Sequence, residues 1–266
     1  MNKKIGFIGC GNMGGALIKA VANAGYSDSI FIADFDASKV KALSDSFGVN
    51  DSNSDYISEN CDYIFIGVKP QVISDCFSSI KATLHNRKFQ PVIVSMAAGV
   101  RIEDIKKMSG IDSIIRIMPN LPVSLGKGVV LACSENVNDE NKSIFETLMS
   151  ESGVFDWLDE KFIDCASAVS GCGPAYAYMF IEALADGAVA CGLPRDKALL
   201  YAAGMLSGSA EMVMQSGKHP GKLKDEVCSP GGSTIAGVKA LENGSFRGDV
   251  MNAVIDAYER TLELGK

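Results

Sequence analysis

In the first half of the chain, apolar positions fall in short runs separated by amphipathic stretches. Residues 4–9 (KIGFIG), 30–34 (IFIAD), 63–68 (YIFIGV), 91–96 (PVIVSM), 113–118 (SIIRIM), 128–133 (GVVLAC) and 153–158 (GVFDWL) are the β-rich runs. Their near-continuous hydrophobicity predicts strands, with the 63–68 run buried within the sheet. Between them, residues 12–24 place Met13, Leu17, Ala20, Val21 and Ala24 at helical spacing. Residues 37–47 and about 139–150 read as further helices. Strand and helix alternating at this spacing predict an α/β fold with a doubly wound, mainly parallel sheet.

After about Asp159 the pattern changes. Residues 174–192, 195–217 and 249–265 read as long helices, the last with Met251, Val254, Ile255, Tyr258 and Leu262 on one stripe. Two domains are therefore expected, 1–159 and an all-helical 160–266. The helices are rich in Ala and Gly, which suits close helix packing. Their largely apolar faces predict a dimer or larger oligomer.

The chain has 266 residues, 47% hydrophobic and 21% charged, enough for a full core. Its net charge of −7, without a Lys/Arg block, argues against nucleic acid and anionic membrane as partners. No run is long enough for a transmembrane span. The opening MNKKIGFIGCG is broken by Gly6, Gly9 and Gly11 and lacks the core of a signal peptide. None of the eight cysteines forms C-x-x-C, and the two histidines, His85 and His219, lie far apart, so no metal site is expected. The thiols read as small apolar residues in a reducing, cytoplasmic setting.

The chemistry begins at GFIGCGNMGG. Gly9-x-Gly11-x-x-Gly14 follows a strand and opens a helix, the context of a dinucleotide-binding turn. Ile8, Cys10, Asn12 and Met13 complete it. Gly9 permits the turn, Gly11 a close approach to pyrophosphate, and Gly14 the packing of helix on strand. Asp34 ends the second strand, where a carboxylate accepts from the ribose 2′-OH of NAD and repels the 2′-phosphate of NADP. Lys39 can partly offset that repulsion, and a plain capping role for the DFDAS segment stands as the alternative. Val68, Lys69 and Pro70, then Ala97, Ala98 and Gly99, then Pro119 and Asn120 each follow a predicted strand. Ligands of open α/β sheets bind at that edge, so these turns are candidates for the nicotinamide groove.

The segment VCSPGGSTIAG (227–237) interrupts a helical region. Gly231 and Gly232 offer backbone N–H groups, Ser229, Ser233 and Thr234 offer hydroxyls, and a helix is expected from Ile235. That suits a small carboxylate as well as it suits a capped helix start. Cys172 and Cys228 lie near such loops, but no cation is paired with either to make a catalytic thiolate.

Taken together, GFIGCGNMG, VKP, AAGV, MPNLP, SGCGPAY, ADGAVACGLPR and HPGKLKDEVCSPGGSTIAG closely resemble the pyrroline-5-carboxylate reductases over the whole chain. The resemblance implies a Rossmann-type N-terminal domain and a helical C-terminal dimerisation domain, often assembled further into a decamer. It implies NAD(P)H as hydride donor and a cyclic imine acid as substrate. Ser229, Gly231, Gly232 and Ser233 should meet the substrate carboxylate, Thr234 the ring nitrogen, and Lys69, Ala97 and Asn120 the cofactor. Cys172 stands where the family usually has Ser, and Asp34 where NADPH-preferring members are often uncharged, which suggests NADH. Other imine or 3-hydroxyacid reductases share this plan. The latter usually carry a Lys on the first long helix of the second domain, which residues 174–192 lack. A non-catalytic nucleotide sensor is a third reading, against which the intact SPGGST counts.

Overall fold

A computed structural model describes residues 3–264. Strands β1 (Ile5–Ile8), β2 (Ile30–Ala33), β3 (Asn50–Asp51), β4 (Tyr63–Ile66), β5 (Val92–Ser95), β6 (Ile114–Pro119), β7 (Gly128–Glu135) and β8 (Gly153–Trp157) form one eight-stranded sheet, ordered β3-β2-β1-β4-β5-β6-β7-β8. The strand order reverses at β1, the hallmark of a doubly wound sheet. All pairings are parallel except β6 with β7, where Ile114 opposes Glu135 and Pro119 opposes Val130. The segment joining β6 to β7 is too short for the crossover that a parallel pair requires.

Helices α1 (Asn12–Val21), α2 (Ala37–Phe47), α3 (Ser54–Asn60), α4 (Ile73–His85), α5 (Ile102–Ser109), α6 (Asp139–Leu148) and α7 (Glu160–Ser170) accompany the sheet. Side-chain alternation along each strand feeds two cores. Ile5 and Phe7 enter one, where Phe7 stacks on Phe65 at 4.3 Å and packs with Leu17 and Val21. Ile8 enters the other with Ile57, Ile64, Ile66, Phe77 and Ile105. Asp36, Asn53 and Asn138 cap α2, α3 and α6 by accepting from Ser38, Tyr56 and Asn141 N–H.

Arg116 on β6 is fully buried and ion-paired to Glu160 at 3.4 Å and to Asp164, both on α7. Its Nε has no partner. The charge is compensated from α7, so that helix is bound to the sheet by more than Ile163 and Ala168.

The chain divides into two compact units. One comprises residues up to Gly171 together with those from Ala257 on, the other Cys172–Asp256. The second unit holds α8 (Gly173–Ala190), α9 (Arg195–Ser216), α10 (Pro220–Glu226), α11 (Ser233–Asn243) and most of α12 (Phe246–Leu264). Within it the Tyr176 hydroxyl donates to the Ala253 carbonyl at 3.1 Å, and Phe180 lies 5.8 Å from Phe246.

Some expectations shift. The helix expected over 12–24 ends at Val21, and a wider turn follows over Ala22–Tyr26 with Gly25 at φ +92°. Helix α11 starts at Ser233, not Ile235, so Thr234 stands inside its first turn. The short β3 has no hydrophobic signal, since Asn50 and Asp51 are both polar; pairing with β2 makes it a strand. On α12, Met251, Ile255 and Leu262 of the expected stripe are exposed in the single chain.

Candidate active site

The glycine turn after β1 is built as its spacing requires. Gly9 has φ +105°, and a β-carbon there would meet the Gly67 backbone at 2.7 Å. A β-carbon on Gly14 would lie 2.2 Å from the Gly9 carbonyl oxygen, so α1 packs directly on the turn. Gly11 differs: nothing lies within 4 Å of the place its β-carbon would take. Gly11 also caps α1, and no side chain closes the cap. No side chain takes up the first N–H groups of α1, and the space beside Gly11 is open, which suits a pyrophosphate. These are the features a dinucleotide cradle needs, and the residues present fit one.

Asp34 follows β2 directly. Its Oδ2 accepts from the Cys10 N–H at 2.6 Å and its Oδ1 from the Asp36 N–H at 2.9 Å. Beside it opens a cavity of about 410 Å³ that includes Ile8, Gly9, Asp34, Phe35, Val68 and Asp75 in its lining. The sequence singled out Ile8, Gly9, Asp34 and Val68; it passed over Phe35, Asn53, Val72 and Asp75. The available signal was their placement, since all follow carboxyl ends of β2, β3 or β4.

The other expected cofactor residues lie along the same edge. Lys69 and Pro70 follow β4, with Lys69 exposed. Ala97 is buried after β5, Ala98 is partly buried, and Gly99 has φ +75°. Pro119 ends β6. The Asn120 amide is already engaged: its Nδ2 donates to Ser170 O at 2.8 Å and its Oδ1 accepts from Val129 N–H at 2.8 Å. Its side chain therefore joins β7 to the end of α7. Cys10 is no nucleophile, because burial first, and the Asp34 charge second, push its thiol up to about 12.

In the second unit, Ser229, Gly231, Gly232, Ser233 and Thr234 form one compact turn and helix start. Gly231 takes φ +68°, Gly232 caps α11 with its N–H bonded to Ser229 O at 3.0 Å, and no side chain fills the cap. Ser233 and Thr234 are exposed. The orphan N–H groups of the first turn and the hydroxyls beside them form an anion-receptive surface. His219 is spent on a local turn, its Nδ1 accepting from the Gly221 N–H at 3.1 Å.

Comparison with known proteins decides between the readings. A family model described as pyrroline-5-carboxylate reductase dimerisation matches residues 160–264, and one described as NADP oxidoreductase coenzyme F420-dependent matches 4–99. The pyrroline-5-carboxylate reductase of Arabidopsis thaliana is 41% identical over 267 residues, spanning 99% of this chain and 96% of its own. That of Escherichia coli K12 is 39% identical, with 100% of both chains covered. The chain belongs to the pyrroline-5-carboxylate reductase family. Among solved structures, a Plasmodium falciparum pyrroline carboxylate reductase with NADP bound superposes with a TM-score of 0.87 at 34% identity, covering 100% of this chain and 99% of its own.

Pyrroline-5-carboxylate reductases are oxidoreductases, and the matched dimerisation region suggests a homo-oligomer. The chain combines the family's two parts, a Rossmann-type sheet and a helical region. The Cys172 departure sits just before α8. Burial, followed by the neighbouring Cys172, raises the Tyr176 phenol. Among the described residues no helix is long and apolar enough to cross a membrane.

Proposed function

We propose that the protein reduces 1-pyrroline-5-carboxylate to L-proline with NAD(P)H. The observation that carries this reading is the full-length match at 41% identity to a reductase of that name. The bound nicotinamide supplies the hydride; the chain's own residues orient, neutralise and protonate. Gly9, Cys10, Gly11, Asn12, Met13 and Gly14 hold the pyrophosphate on the open start of α1. Val68, Lys69, Pro70, Ala97, Ala98, Gly99, Pro119 and Asn120 shape the remaining groove, with Ala97 and Asn120 too buried to offer more than backbone and wall. Ser229, Gly231, Gly232 and Ser233 receive the substrate carboxylate. The Thr234 hydroxyl fixes the ring nitrogen and keeps a proton on it, because the protonated imine is the better electrophile.

The working form is a homodimer through the helical unit, with assembly to a decamer as the higher-order form, and the compartment is the cytoplasm. All eight cysteines are free, including the exposed Cys165 and Cys191, which suits a reducing compartment. Sedimentation of the purified protein distinguishes dimer from decamer.

The test is loss of nicotinamide absorbance on adding 1-pyrroline-5-carboxylate, with proline identified as product. Cofactor binding without turnover would overturn the reading. Thr234→Ala is expected to lower kcat by about 100-fold, in the range of lost proton positioning, with cofactor affinity unchanged. Unaltered kcat removes Thr234 from the mechanism.

A further inference from the structure

The surroundings of Asp34 separate the two nicotinamide cofactors, an inference that rests on the dinucleotide-binding part of the proposed function. Both carboxylate oxygens are held by backbone donors, Cys10 N–H on one side and Asp36 N–H on the other. The group cannot swing away without giving up two hydrogen bonds. Each oxygen keeps a second lone pair, so the fixed carboxylate still accepts from a hydroxyl. It also occupies the Cys10 N–H, a donor that an incoming phosphate would otherwise use.

The adjoining cavity repeats the sign. Its lining contains Asp34 and Asp75 and no Lys, Arg or His. Lys39, the cation that the sequence offers to offset Asp34, is 3.6 Å from Asp36 Oδ2 and does not line the cavity. Phe35 adds a fully exposed aromatic face beside Asp34, a surface for a base to stack on and not a charge partner.

A ribose 2′-hydroxyl entering here finds a fixed acceptor. A 2′-phosphate finds a fixed anion, a second anion in the cavity lining and no lining cation. We propose that Asp34 makes this chain selective for NADH over NADPH, even though the family model matching its N-terminal half is named for NADP.

Titration calorimetry of the full-length protein with NADH and with NADPH tests this directly, without turnover. NADH is expected to bind at least about tenfold tighter, since like charges set against each other disfavour a complex strongly even after solvent screening. Asp34→Ser is expected to weaken NADH and tighten NADPH, bringing the two within about threefold. Adding Phe35→Arg to that variant, which puts a cation where none lines the cavity, is expected to reverse the order. Equal or tighter NADPH binding by the unaltered protein overturns the inference. So does an Asp34→Ser variant, folded by circular dichroism, whose ratio is unchanged. Turnover separates the two claims: tight NADH binding with no reduction of 1-pyrroline-5-carboxylate sinks the proposed reaction and leaves the selectivity standing. Reduction that favours NADPH, with matching affinities, does the reverse.

Discussion

The sheet unit and the helical unit solve the problem of burying apolar surface in opposite ways. In the sheet unit, both faces are covered from within the chain. Phe145 is fully buried and sits within 6.4 Å, ring to ring, of Tyr63, Phe65, Phe155 and Trp157. Even Arg116 is enclosed and compensated. In the helical unit, among the described residues, the buried ones are three alanines, Ala185, Ala198 and Ala202. Tyr178, Met179, Leu200 and Met214 are each at least 60% exposed. Helices with apolar side chains around most of their circumference are stable only when covered. One core is therefore completed in cis, and the other leaves apolar surface uncovered in the single chain, as the proposed homodimer would require.

The strongest test of this contrast is to separate the halves. Residues 1–171 expressed alone are expected to be monomeric, to unfold cooperatively in urea and to bind dinucleotide. Residues 172–266 alone are expected to self-associate, and to lose helical circular dichroism on dilution. A monomeric, cooperatively folded helical fragment would break the comparison. A shorter fragment, 1–159, sharpens it: the expected boundary at 159 removes α7 and with it Glu160 and Asp164, both carboxylate partners of Arg116. If the boundary holds, the two fragments are equally stable; if α7 belongs with the sheet, the shorter one is the weaker.

Next in size is Arg116→Ala, which strands two carboxylates against the sheet. Its expected cost is about 3 kcal/mol in urea unfolding, the low end for a broken buried pair because Glu160 is partly exposed. The loss should appear in the 1–171 fragment as fully as in the whole protein.

The remaining test is a pH dependence confined to alkaline conditions. Burial pushes the Cys10, Cys61 and Cys133 thiols from an ordinary value of 9.0 up to about 12. Between those values the unfolded chain has released protons that the folded chain keeps. Stability is thus complete below pH 9 and falls as pH rises toward 12. Thermal unfolding across that window should show the fall, and replacing the three thiols by Ala should make it shallower, leaving the part that the buried Tyr63 phenol and Cys76 thiol contribute. In the helical unit Cys172, Cys191 and Cys228 are not buried, so the effect belongs to the sheet.

Much of this was readable from the residues, and for local reasons. The strands announced themselves because a doubly covered strand must be apolar along its whole length, as YIFI and VIVS are. The glycine turn was readable because Gly9 and Gly14 stand where no β-carbon fits. Asp36 as a cap and Gly231–Gly232 as an open helix start follow equally from short-range backbone preferences.

Tertiary structure decided what depends on partners distant in sequence. β3 is a strand only because β2 lies beside it. Asn120 was a candidate for the cofactor groove, yet its amide is claimed by Ser170 and Val129, one 50 residues away. The two hydrogen bonds that freeze Asp34, and the absence of a cation from the lining of the cavity beside it, come from folding β1, β2 and the start of α4 to one edge. A sequence specifies which groups each residue carries. Which of them remain free to meet a ligand is settled only when the folded chain has satisfied its own donors, acceptors and charges first.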